Sequence, residues 1–151
     1  MLGLMGCEPD TVCHLNLHAN AGITAYRTDY DANDNSRLVN NWDSLQAQGI
    51  GSDSILYWHN QTEVVYLPMR ADSSITAYAL TWHEKTDTLV LFTTPKMQFI
   101  SMACGCMVNH ELDSVGFTGH FIDSVWIEET EISNFDATHV TLWVSEEEIE
   151  N

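Results

Sequence analysis

A chain of 151 residues, 44% hydrophobic and 10% aromatic, is long enough for one domain with a real core and too apolar to be a disordered segment. Twenty-two acidic side chains against five basic ones give a net charge of −17, and residues 97–151 hold eleven Asp and Glu with no Lys or Arg. That field excludes nucleic acid and anionic lipid headgroups as electrostatic partners, and no stretch reaches the ~18 apolar residues of a membrane-spanning helix.

At the start of the chain, Leu4-Met5-Gly6-Cys7 places a small residue just before a cysteine and an aliphatic one three before it. This resembles the lipobox that ends a bacterial lipoprotein signal peptide. The resemblance implies a diacylglycerol on the Cys7 thiol, with cleavage making Cys7 the mature N-terminus. A full signal also has a basic region and a 7–15-residue apolar segment, whereas six residues precede Cys7 here. Residues 1–6 then read as the remnant of a signal peptide and 7–12 as a lipidated cysteine with its tether. Residues 13–145 read as a single domain and 146–151 as an acidic tail.

Beyond the tether the pattern is of strands divided by turn signals. Ile23–Tyr30 alternates, with Thr24, Tyr26, Thr28 and Tyr30 on one face, and "DYDANDNSR" follows as a polar loop. In "SRLVNNWDSLQAQG", Leu38, Trp42 and Leu45 have helical spacing between Ser36 and Gly49. A strand over Trp42–Gln48 is nevertheless expected, because "DSL" repeats a strand-entry pattern. "SILYW" and "EVVYLPM" are short apolar runs, and "SSITAYALTW" alternates to put Tyr78, Leu80 and Trp82 together. "HEKTD" reads as a hairpin turn into "TLVLFTT", apolar on both faces and therefore central. "SVWIEETEI" and "THVTLWV" complete the set, the latter with Val140, Leu142 and Val144 on one face. About seven to nine strands at this spacing predict an all-β fold, an antiparallel β-sandwich of immunoglobulin-like or related type.

With Cys7 acylated, Cys13, Cys104 and Cys106 remain, which in an oxidising compartment allows one bridge and one leftover thiol. Cys104–Cys106 is the least comfortable pair, since extended residues two apart lie at the outer edge of disulfide geometry. Cys13–Cys104 is expected and Cys13–Cys106 is the alternative. Either closes a loop of about 90 residues, worth roughly 3–5 kcal/mol by chain entropy. A redox role for "CGC" has no thioredoxin-like pattern or neighbouring Lys or Arg behind it, and a zinc site from Cys104, Cys106 and His110 lacks a fourth ligand.

Other constellations are weaker. Asp29, Asp31, Asn33 and Asn35 alternate as calcium ligands do, but Asp34 stands where an EF-hand needs Gly and Asn40 where it needs Glu. No cofactor is expected, and calcium at this loop is the only exception weighed. The seven histidines are scattered, "HEKTD" and "HELDS" are not HExxH, and neither a nucleophile elbow nor a phosphate loop occurs. No catalytic residue is assigned. Asp followed by Ser or Thr and an aliphatic residue occurs six times, where this composition gives about one by chance. The pattern resembles the O-glycosylation acceptor motif of exported Bacteroidetes proteins, which implies Thr11, Ser44, Ser54, Thr88, Ser114 and Ser124 as acceptors. As plain structure, the same triplet ends a turn and starts a strand.

The stretch "FISMACGCMVNHELDSVGFTGHFIDSVWI", with Cys13, "DSLQAQGIGSDSILYW" and "YLPM", resembles a Bacteroidetes family of small lipoproteins of unassigned function. The "FIS..CG" match at Phe99–Gly105 and "IDSV" at Ile122–Val125 are its most specific part. The resemblance implies an exported β-rich lipoprotein and brings no catalytic residues. The expectation is a non-catalytic binding or envelope-associated module. It would be anchored to the outer membrane, on its periplasmic face or at the cell surface, with envelope proteins or glycans as partners. The rivals are a cation-binding module and a small periplasmic hydrolase or thiol-redox enzyme. An exposed strip of Tyr57, Trp58, Tyr78, Trp82 and Trp143 would signal glycan or peptide binding, although core packing suits most of these side chains better.

Overall fold

The computed structural model describes residues 13, 15, 17–28, 36–38, 45–53, 55–58, 64–82 and 84–145. These residues form eleven strands: β1 (Asn20–Thr28), β2 (Ser36–Leu38), β3 (Leu45–Gly49), β4 (Ile55–Trp58), β5 (Val65–Pro68), β6 (Ile75–Trp82), β7 (Lys85–Ser101), β8 (Gly105–Phe117), β9 (Ile122–Ile127), β10 (Glu131–Ile132) and β11 (Val140–Ser145). They make two sheets, the first ordered β2-β1-β11-β9 with β5 also on β1, the second ordered β10-β8-β7-β6-β3-β4. The architecture is an all-β sandwich.

Period-two patterning builds the core. Ala21, Ile23 and Ala25 of β1 and Val140, Leu142 and Val144 of β11 are fully buried on one side. Leu45, Ala47, Leu80, Trp82, Leu89 and Leu91 come from the second sheet. Trp82 packs edge-on against Phe121 at 5.9 Å between ring centroids, an arrangement that favours the positive edge of one ring over the face of the other. Tyr78 and Trp82 therefore belong to the core and form no exposed strip. Trp143 lies on the reverse face of β11, stacked on Tyr26 at 5.1 Å, and Tyr57 and Trp58 have no described side chain.

The sandwich departs from the expectation in two ways. The first and last strands pair in parallel, Ile23 opposite Val140 through Thr28 opposite Ser145. Alternation of apolar residues sets which face is buried but carries no information on the direction of the neighbouring strand. The strand expected over Trp42–Gln48 is found as β3 (Leu45–Gly49), with no helix over the residues described between 36 and 49. The largest difference is β8, thirteen residues with no clean alternation. It pairs along most of the seventeen-residue β7, from Leu89 opposite Phe117 to Ser101 opposite Gly105.

Candidate functional site

Two polar anchors hold the sheets in register. Asp87, on β7, has no exposed surface, and its carboxylate accepts hydrogen bonds from the backbone N–H groups of His120 (2.8 Å), Phe121 (2.7 Å) and Ile122 (2.9 Å). The Thr118 hydroxyl donates to it as well, and the His120 ring lies 3.1 Å away. Burial alone would raise the carboxyl pKa; the hydroxyl of Thr118 and the three N–H donors outweigh it and hold the group below its ordinary value. One carboxylate thus fixes the 118–121 loop that leads the chain from the second sheet into β9.

His139 does the same at the other crossover. Its Nδ1 accepts from the Gly22 N–H at 2.9 Å and its Nε2 lies 2.9 Å from the Glu131 carbonyl, so one neutral tautomer serves both. The ring links β1 in the first sheet to β10 in the second. Burial pushes its pKa down, against smaller upward pulls from the Glu131 carbonyl and the Glu129 charge. The segment before it passes so close to β1 that a Cβ at Gly22 would lie 2.0 Å from the Ala137 carbonyl oxygen, which only glycine allows. Nothing in the spacing of Asp87, Gly22 or His139 announces these roles, because each partner is distant in sequence.

The third feature is the far half of the β7–β8 hairpin. In the near half the core-facing side chains Leu89, Leu91, Thr93, His110 and Leu112 are buried. Beyond Thr93 the same face carries Pro95, Met97 and Phe99, with Val108 and Cys106 as partners of Met97 and Phe99, and there Met97 is 75% and Phe99 61% exposed. The opposite face takes over burial, with Met107 at 4% and Asn109 at 8%. Consecutive residues Asn109 and His110 are both buried, which marks the point where the strand exchanges its buried face. His110 Nδ1 lies 2.8 Å from the Thr93 hydroxyl, and burial lowers its pKa against a smaller pull from the Arg70 carbonyl. A register shift between Phe92 and Thr93 adds a second interruption.

The hairpin ends in a turn at 102–104 followed by Gly105 at φ +74°, a conformation that suits glycine. Cys104 in this turn is bonded to Cys13, with Cα atoms 4.7 Å apart across a sequence separation of 91. Cys106 is a free, exposed thiol. With Cys104 oxidised and His110 turned into the core against Thr93, the zinc set Cys104, Cys106 and His110 is not assembled. Among the described residues no three His, Cys, Asp or Glu side chains converge to hold a metal.

Of the other sites expected from sequence, Cys7, Thr11, Ser44, Ser54, Asp29, Asp31, Asn33 and Asn35 lie outside the described residues. Thr88, Ser114 and Ser124 sit inside β7, β8 and β9 rather than at the entry turns expected of their triplets. Thr88 is half-buried while Ser114 and Ser124 are exposed. The Asp of the first triplet is the buried anchor Asp87, and Asp113 of the second accepts a hydrogen bond from Thr94 at 2.8 Å. In these two triplets the carboxylate has structural work.

A cleft of about 550 Å³ opens between the β3–β4 turn, the segment after β5 and the start of β6. Ile50, Leu56, Met69 and Arg70 are among the residues lining it. Tyr78 forms one wall, its hydroxyl donating to the Pro68 carbonyl at 2.6 Å and its pKa pushed up to about 12 by burial, so it stays a neutral donor. The lining is mostly apolar, with Arg70 as its one cation.

Fold and site together define a disulfide-stapled two-sheet β domain with a projecting hairpin and, among the described residues, no metal cluster. Residues 44–144 match a family of unknown function (DUF6452), and the chain belongs to that family. The match includes the hairpin and the Asp87 and His139 anchors but neither Cys7 nor Cys13. No curated protein and no solved structure matches the chain.

Proposed function

We propose that this chain is an exported lipoprotein whose β-sandwich serves as a non-catalytic binding module of the cell envelope, held to the membrane by an acyl group on Cys7. The observation that carries the reading is the Cys13–Cys104 disulfide, because such bonds persist in oxidising compartments and are rare in the cytosol. The Leu4–Cys7 motif supports the anchor, and the apolar cleft beside Arg70 supports binding over catalysis. The net charge of −17 is in keeping with a partner that is neutral or cationic rather than a nucleic acid.

The test is metabolic labelling with a tagged fatty acid in a Gram-negative host, followed by fractionation. The expected result is label in the membrane fraction that disappears in Cys7→Ser, with Cys13 and Cys104 linked in the non-reduced peptide map. An unlabelled protein with Cys13 and Cys104 both reduced would contradict the reading.

A further inference from the structure

The far half of the β7–β8 hairpin exposes more apolar surface than any interior role explains. Met97 is 75%, Phe99 61% and Met102 91% exposed, and at the hairpin's base Leu15 and Phe135, 56% and 78% exposed, line a second cleft with Gln98 and Ile100. Single exposed apolar residues are ordinary, but five of the eleven large ones on the described surface gather at this one end. The hairpin is also free of formal charge from Met97 through Asn109, in a chain that carries −17. Charge returns at its base, where Lys96 and Glu111 pair at 2.6 Å beside Glu129 and Glu131. A β-strand rises roughly 3.3 Å per residue, so the tip stands about 16 Å beyond that pair.

Covalent bonds limit how far the tip can stand from an anchor on Cys7. Cys104 in the tip is bonded to Cys13, and six peptide links join Cys13 to Cys7. At no more than about 3.6 Å per residue the six links span roughly 22 Å, and with the 4.7 Å across the disulfide an acylated Cys7 holds the tip within roughly 30 Å of its own glycerol. With Cys7 acylated, the chain tethers to the bilayer an end of the domain that, among the described residues, is rich in exposed apolar side chains.

We infer that the hairpin tip, through Met97, Phe99 and Met102, is a second membrane contact that inserts into the interfacial layer of the bilayer and fixes the orientation of the sandwich above it. This rests on the acylation of Cys7 proposed above. Apolar side chains bury into the headgroup and upper acyl region to a depth of about 5–10 Å, which takes in Met102 and Phe99 and leaves Met97, the residue after Lys96, at the headgroup surface. A neutral tip adds its contact to the acyl anchor without electrostatic attraction, so its binding is insensitive to salt. The same geometry keeps the 550 Å³ cleft, at the turn between β3 and β4, clear of the contact residues.

The experiment uses the full chain with Cys7→Ser, held on phosphatidylcholine vesicles by an added N-terminal histidine tag and a nickel-chelating lipid. An environment-sensitive fluorophore on Cys106, the free thiol opposite Phe99, reports the tip. Insertion predicts a blue-shifted emission and a roughly twofold or greater loss of intensity when nitroxide is carried on the acyl chains. Met97→Ser/Phe99→Ser/Met102→Ser, with an unchanged melting temperature, returns both signals to their values in solution. If the triple variant fails to fold, Met102→Ser alone is expected to give a partial loss. A water-exposed, unquenched label on the tethered parent overturns the proposal. So does a shift that appears without vesicles and grows with protein concentration, which would assign the face to a second copy of the chain. Fatty-acid labelling of Cys7 decides the anchor separately: a tip that inserts on a chain never acylated in cells upholds the tip and refutes the anchor, and a dry tip on an acylated chain does the reverse.

Discussion

The near and far halves of the β7–β8 hairpin are made of the same two strands and meet opposite environments. From Lys85 to Thr93 the hairpin is the middle of a six-stranded sheet, with Leu89 and Leu91 buried against the other layer. From Pro95 to Ser101 it has outrun β6, whose pairing ends at Phe92, and its core-side residues face solvent. The difference teaches that a hydrophobic residue at a core-facing register is buried only where the second layer extends beneath it. Met97 and Phe99 have the parity of Leu89 and Leu91 without the cover. What holds the far half is a covalent staple and the packing of its reverse face, and what holds the near half is the core and its buried anchors.

Breaking the near half should cost most. Asp87→Ala leaves two buried N–H groups, one part-buried N–H and one hydroxyl without their acceptor, a loss of about 4–6 kcal/mol, checked by urea unfolding. Asp87→Asn, which keeps one carbonyl oxygen, should recover part of it.

The staple comes next. Cys13→Ser should cost about 3–5 kcal/mol by chain entropy, and amide exchange should quicken first from 97 to 109 while 87–92 keeps its protection. Equal loss in both halves would show that the hairpin is a single cooperative unit.

Gly22→Ala tests the far side of the body. Its Cβ would lie 2.0 Å from a backbone oxygen that cannot move without displacing His139, so about 3 kcal/mol of destabilisation is expected in thermal melts.

The smallest effect is on pH. His110 and His139 have pKa values lowered by burial, so the folded state binds fewer protons than the unfolded one near pH 6.5. Their contribution is complete above the unfolded value and is lost as pH falls through the folded values. The melting temperature should therefore be level above about pH 7 and decline below about pH 6.5, with a shallower decline in His139→Gln.

Sequence reasoning found the core strands because their alternation is unbroken: Tyr78, Leu80 and Trp82 on β6, and Val140, Leu142 and Val144 on β11. It missed β8 because that strand exchanges its buried face at Asn109 and His110 and carries a register shift opposite Phe92–Thr93, so no single period runs through it. "SVWIEETEI" was one run in the sequence and is two strands in two sheets, since the crossover between β9 and β10 takes only three residues. The parallel pairing of β1 with β11 left no trace in either strand. Of the sites, the cysteine pair was legible from spacing and odd number, whereas Asp87, His139 and Gly22 act on partners that only the fold brings near. The exposure of the hairpin tip was not legible, because it depends on where β6 stops.

Hydroxyl-radical footprinting of the chain tethered to phosphatidylcholine vesicles bears most directly on the central claim, that the uncovered end of this hairpin faces the membrane. In solution Met97, Phe99 and Met102 should be modified readily, Trp126 at 63% exposure likewise, and Met107 at 4% hardly at all. On vesicles the account predicts that Met97, Phe99 and Met102 lose several-fold of their labelling while Trp126, on the first sheet, keeps its own. Tip residues labelled as fast on the vesicle as in solution, or protection that falls on Trp126 instead, would contradict it.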